Sequence, residues 1–258
     1  MKLGLVQYQP PKGDPTRGRS ELSKLVREAA DRGAELIVCP EMATCGYVWD
    51  SVESLIPFAE VPEGPTFKAL RKIAREYRCW IVVGIPEFSQ DADGSIKLYN
   101  SAIVINPKAL LSACYRKVLL FEVDESWATA GDTRYLLETG FARIGVGICM
   151  DLNDDHFIHW LNAAGVDVLA FPTNWIDQGE DVEPYWQWRL SPWSGWFVAA
   201  NRWGSDEFLK FKGNSAIIAP NKEVVAMAGE SGDEVLVFDT KAMDVVLPRT
   251  QPQTQTPA

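Results

Sequence analysis

A chain of 258 residues, 47% apolar and 23% charged, can bury a full core without disulfides, a metal or a partner, and one large domain is the default. Its 25 Lys and Arg against 35 Asp and Glu leave a formal charge of −10, which repels phosphate backbones and anionic lipid and argues against nucleic acid or a membrane surface as partner. The longest apolar stretches, 166–171 and 196–200, fall far short of the roughly 18 residues a membrane helix needs. No targeting segment precedes the first strand pattern, and five cysteines without a CxxC pair read as the reduced thiols of a cytoplasmic protein.

Short runs of Val, Ile and Leu predict buried strands at 3–8, 35–39, 80–85 and 101–105, and again at 144–149, 167–171 and 197–201. Helical spacing fills the first gaps: 16–32 carries Leu22, Leu25, Val26 and Ala29, and 66–78 carries Phe67, Leu70, Ile73, Ala74 and Tyr77. This βαβαβ alternation predicts an α/β layered fold. Segment 33–40 (GAELIVCP) is echoed without a gap by 165–172 (GVDVLAFP). Each copy joins a helix end, a Gly cap, a buried strand and a Pro stop, so two related βα halves are expected. Hairpin strands follow at 215–219, 224–227 and 235–238, and 248–258 (PRTQPQTQTPA) has nothing to bury. The domain is expected over 1–247, with a disordered or subunit-contacting tail at 248–258.

Loops leaving the C-terminal ends of strands are where α/β sheets place reactive groups. Glu41 follows the Pro that ends the second strand, Lys117 follows the hairpin of 101–105 and 110–115, and Cys149 ends the strand at 144–149. A thiol with an ordinary pKa of about 8.5 is only a few per cent ionised at pH 7, so a nucleophilic Cys needs a base and a positive charge beside it. Spacing alone leaves each of the three equally at home as core filler or surface charge. His156 and His159 are the only histidines; with no third ligand beyond Asp154 and Asp155 they read as a solvated helix face, so no metal is expected. Seven of the ten Trp fall between Trp160 and Trp203, a density that suits a core, a pocket wall built from Trp175, Trp186 or Trp188, or an interface.

Five segments together are more specific. CPEMATCGY (39–47), YRKVLLFEVDESWATAGD (115–132), GVGICMDLN (145–153), FPTNW (171–175) and AANRWG (199–204) stand in the order and at the spacings of the nitrilase, or carbon–nitrogen hydrolase, superfamily, which the chain resembles from Lys2 to about Phe238. The resemblance implies a four-layer α-β-β-α sandwich and a Glu–Lys–Cys triad, with the base on Glu41, the lysine on Lys117 and the nucleophile on Cys149. It puts a second glutamate, eight residues after the lysine, on Glu125, and implies no cofactor. Two departures bear on the substrate. Met150 stands where most members carry an aromatic residue, and 154–157 (DDHF) where they carry Phe-Pro-Glu; the wording GICMDLN is similar to the branch of N-terminal amidases.

The expected activity is hydrolysis of a primary carboxamide to carboxylate and ammonia through a thioester. Lys117 and the backbone N–H of Met150 hold the oxyanion, and Glu125 positions the amide or Lys117. Nitrile hydrolysis by the same triad, carbamoyl-amine hydrolysis and a non-catalytic binding member are the alternatives. Asn174, Trp175 and Asp154 are the candidate substrate contacts, and Asp151 is expected to pair with Arg202. Acids in the loops (Glu122, Asp124, Asp154, Asp155, Asp177, Glu180 and Asp181) suggest a mouth that favours an ammonium, as in a peptide N-terminal amide or a small amino-acid amide. The protein is expected to form a homodimer or higher homo-oligomer.

Overall fold

The computed structural model describes residues 1–248; of the expected tail, all but Pro248 lies outside them. The first half runs β1 (Lys2–Gln7), α1 (Pro15–Asp31), β2 (Leu36–Val38), a short α2 (Val52–Leu55), α3 (Pro65–Tyr77), β3 (Trp80–Gln90), β4 (Ile96–Ile105) and β5 (Leu111–Arg116). The second runs β6 (Leu136–Glu138), β7 (Arg143–Val146), α4 (Asp155–Ala163), β8 (Val168–Thr173), α5 (Glu183–Arg189) and β9 (Trp196–Asn201), then β10 (Trp203–Asp206), β11 (Leu209–Lys212), β12 (Ala216–Ile218) and β13 (Val224–Met227). The chain then returns to the first half as β14 (Glu234–Asp239) and β15 (Asp244–Val245).

Two sheets result, ordered β15-β14-β1-β2-β3-β4-β5 and β13-β12-β9-β8-β7-β6, with β10 and β11 as a separate ribbon. The period-2 pleat sorts each strand's side chains onto two faces. Leu3 and Leu5, Leu36 and Val38, and Val82 face Ile144 and Val146, Val168 and Ala170, and Val198 across the central layer. The opposite faces of the first sheet (Val6, Ile37, Ile81, Val83) meet Leu22 and Val26 of α1 and Leu70 and Ile73 of α3. Leu169 and Phe197 of the second sheet meet Phe157 and Leu161 of α4 and Trp186 of α5. Strands buried on both sides explain the unbroken apolar runs, and the layers are α-β-β-α.

The internal echo is a true equivalence of halves. β1-β2-β3 are parallel with Leu3 beside Leu36 beside Trp80, and β7-β8-β9 repeat this with Ile144, Val168 and Trp196. At each helix end a glycine adopts positive φ, Gly33 at 83° and Gly165 at 64°, the left-handed cap position where other residues are strained. The acid two residues on, Glu35 or Asp167, accepts from the backbone N–H that opens the neighbouring strand, at Lys2 (2.8 Å) or Arg143 (2.9 Å). The last expected hairpin strand departs from the sequence reading. Strands β12 and β13 do form a hairpin, but β14 pairs antiparallel with β1 in the other sheet, where Val235 and Val237 complete the α1 core.

Candidate active site

Beyond Pro40 the chain lies directly on β3. The Gly84 N–H donates to the Pro40 carbonyl and the Ala43 N–H to that of Gly84, both at 3.0 Å. A Cβ on Gly84 would stand 2.5 Å from the Glu41 Cα, so this approach requires glycine. It aims the Glu41 carboxylate into a buried space where Oε1 accepts from Lys117 Nζ (2.8 Å) and Asn100 Nδ2 (2.7 Å), and Oε2 from the Asn174 N–H (2.7 Å). Burial pushes this carboxyl up, Lys117 and Asn100 pull it part-way back, and it ends above the ordinary glutamate range, more basic than a surface carboxylate.

Lys117 is the residue after β5, its N–H bound to the Asn100 carbonyl at 2.8 Å. Its Nζ also reaches Asp124 Oδ2 at 2.6 Å. Burial alone would lower this ammonium, but Asp124 and Glu41 outweigh it and hold Lys117 well above an ordinary lysine. It therefore stays cationic. Asp124 takes the place expected for Glu125: it is buried and accepts as well from the Phe121 N–H (3.1 Å) and Asn100 Nδ2 (3.1 Å). Glu125 is exposed and neither bonds Lys117 nor lines the cavity described below. The turn that begins at Phe121 directs the seventh residue after the lysine inward, not the eighth.

Cys149 does not end a strand. β7 stops at Val146, and Cys149 opens a 3₁₀ turn, Cys149–Asn153, with a φ of 44°, a strained backbone of the kind that sharp nucleophile turns adopt. Burial pushes its thiol up to about 12; Glu41 adds to this, while Lys117, the Thr173 hydroxyl and the Asn174 N–H oppose it. The resting group is a neutral thiol, so attack requires a base at that moment. Asp151 braces the turn, but not through Arg202. Its Oδ2 accepts from the Ile148 N–H (2.8 Å) and the Tyr115 hydroxyl (2.7 Å), and its Oδ1 from the N–H groups of Val118 (3.1 Å) and Leu119 (2.8 Å). This one carboxylate stitches the Cys149 turn to the segment after Lys117. Arg202 instead pairs with Asp206 at 3.0 Å, and Asp206 also holds the Tyr47 N–H at 2.6 Å.

Cys149, Met150, Asn174 and Trp175 line a cavity of about 280 Å³ with Phe121, Tyr185 and the carboxylates of Glu180 and Asp181. Trp175 is backed edge-on by buried Trp186 at 5.8 Å, whereas Trp188 faces out, 62% exposed. Asp154 is not at this cavity; it caps α4 through the His156 N–H (2.9 Å) and pairs with Arg134 at 2.6 Å. Much of the expected acidic mouth is likewise engaged elsewhere: Asp155 by Arg189, Asp124 by Lys117 and Asp181 by Lys212. Both histidines are exposed on α4, and among the described residues no group of three or more His, Cys, Asp or Glu is placed to hold a metal ion. Asn100 and Thr173 belong to the site without having been singled out. Asn100 was legible as a polar residue inside a run otherwise buried on both faces, which must find partners.

The model of the carbon–nitrogen hydrolase family matches residues 2–246. The chain belongs to this family. It is 35% identical over 246 residues to a nitrilase of Pyrococcus abyssi, covering 93% of this chain and 89% of that protein. It is 30% identical over 261 residues to the protein N-terminal amidase of Schizosaccharomyces pombe, covering 84% and 91%. In structure it is similar to a mutant of the amidase from Nesterenkonia sp. AN1 in complex with butyramide, at a TM-score of 0.79 and 21% identity over 94% and 92% of the two chains. The four-layer sandwich is thus the carbon–nitrogen hydrolase fold. Among the described residues no helix is long and apolar enough to cross a membrane.

Proposed function

We propose that this carbon–nitrogen hydrolase is a cysteine amidase that converts a primary carboxamide to a carboxylate and ammonia. The observation that carries this reading is the buried Lys117 ammonium, bound at once by Glu41 and Asp124, whose charge, with that of Glu41, acts on Cys149, the one cysteine among the described residues that lines the cavity. Glu41 takes the thiol proton as Cys149 Sγ attacks the amide carbon. The negative charge that develops on the carbonyl oxygen is stabilised by the Lys117 ammonium and the Met150 N–H. The tetrahedral adduct collapses to a thioester, Glu41 delivers the proton to the leaving nitrogen, and ammonia departs. Water, deprotonated by Glu41, then releases the acid and restores the thiol. A nitrile would enter through the same attack, and product analysis separates the two.

The lining favours an acyl group that carries an ammonium. Among the described residues no Lys or Arg lines the cavity, whereas Glu180 and the Lys212-paired Asp181 do, together with the aromatic Trp175 and Tyr185, a setting in which Glu180 and the rings attract cations. One of the relatives is named a protein N-terminal amidase, in keeping with such a substrate. The five free cysteines suit a reducing, cytoplasmic setting. Ammonia release from a free-amine amide, its N-acetyl counterpart and a dicarboxylic acid monoamide of equal length tests the reading. The amine is expected to turn over fastest; equal rates would remove the role of the acidic lining.

A further inference from the structure

Asn174 follows β8 and lines the cavity beside Cys149. Its residue is 1% exposed, yet neither Oδ1 nor Nδ2 has a hydrogen-bond partner. Leaving a buried polar atom unpaired costs about 1–3 kcal/mol, and here two such atoms sit on one side chain. They are also held in place. The Asn174 N–H is fixed on Glu41 Oε2 at 2.7 Å, and the next N–H, that of Trp175, on Asn201 Oδ1 at 2.9 Å; Asn201 is itself anchored by its Nδ2 on the Gly213 carbonyl at 2.7 Å. Backbone pinned on both sides fixes where this side chain leaves the chain, so no backbone ordering remains to be done when a ligand arrives.

From this geometry we infer that Asn174 is a specificity-determining residue that reads a donor and an acceptor set side by side in the acyl part of the substrate. The chemistry that matches is an amino-acyl group, in which an α-amine supplies N–H to Oδ1 and the neighbouring carbonyl accepts from Nδ2. The acyl part of a simple aliphatic amide has neither and, with the carboxamide held at Cys149, leaves both atoms unpaired; sites of this kind reject the analogue that lacks the group. The inference rests on the amidase reading, because it assumes that the scissile amide sits at Cys149.

The test compares two primary amides, asparagine N-methylamide and isovaleramide, on wild type and Asn174→Leu, whose backbone bond to Glu41 is unaffected by the side-chain change. Wild type is expected to favour asparagine N-methylamide in kcat/KM. In Asn174→Leu that preference falls about ten- to a hundred-fold, through KM more than kcat. A preference unchanged by the substitution, or both substrates losing kcat alike, overturns the inference and makes Asn174 a support for Glu41. If wild type releases ammonia from neither compound, the amidase reading fails first. Calorimetric titration of Cys149→Ala, with and without Asn174→Leu, then decides the matter: selective loss of asparagine N-methylamide binding upholds the role of Asn174, and equal binding overturns it.

Discussion

Lys117 is the residue whose removal has the most readable consequence. Lys117→Gln leaves Glu41 and Asp124 as two buried carboxylates without their shared cation, which should destabilise the fold by about 3–5 kcal/mol and lower kcat by at least about 10²- to 10³-fold through the lost oxyanion donor. Chemical denaturation and steady-state kinetics read both; a rise in KM alone would make Lys117 a binding residue. Asp124→Asn should reduce kcat strongly, whereas Glu125→Gln, altering an exposed side chain, should stay within about two-fold of wild type. The pH profile carries the sign of the Glu41 shift. With Glu41 as the proposed base, turnover is expected to need its ionised form, and its pKa lies above the ordinary 4.5, so activity should fall earlier on acidification than for a surface glutamate. The same raised pKa favours the protonated folded state, so Glu41 contributes stability below its unfolded pKa that is lost as pH rises through the folded one; protonation of Glu41 itself therefore does not unfold the protein. With the thiol near 12, no further rise is expected around pH 8–9. A rise there would mean a free thiolate does the attacking.

At the scale of elements, the strands, α1 and α3 were legible because burial on both faces writes long apolar runs and helix faces write a 3.6 period. The turns were less so. Cys149 was read as a strand end because Val146, Gly147 and Ile148 are as apolar as the strand before them, and nothing local marks the positive φ. Asp124 and Glu125 are adjacent acids, and only the turn that begins at Phe121 decides which enters. Two elements depend on single residues. Gly84→Ala would drive a methyl against the Glu41 backbone, with a cost of about 1–3 kcal/mol and a loss of kcat, since the base moves. Asp151→Asn replaces an acceptor of four donors by a side chain with a single acceptor oxygen. It should lower kcat more than it raises KM, because it loosens the Cys149 turn from the segment after Lys117. A changed KM with kcat intact would contradict that coupling.

For the whole molecule, the two halves stack face to face, and the site forms where loops and strand residues from both sheets meet: Glu41 and Lys117 with Asn100 of β4 from the first, Cys149 and Asn174 with Thr173 of β8 from the second. The five segments that carry the family resemblance contain those loops, which is why a Glu41–Lys117–Cys149 triad is expected from sequence while the bonds around these residues are not. Asn100, Asp124 and Asp151 act across pairs of elements, and a linear chain does not announce such pairs. Everything proposed for the site turns on Cys149 carrying the acyl group. The most direct measurement is mass spectrometry of enzyme quenched in acid during turnover of a primary amide. A mass gain equal to the substrate less ammonia is expected on the peptide that contains Cys149, with no adduct or turnover in Cys149→Ala. Turnover in that variant, or an acyl group on any other residue, would contradict it.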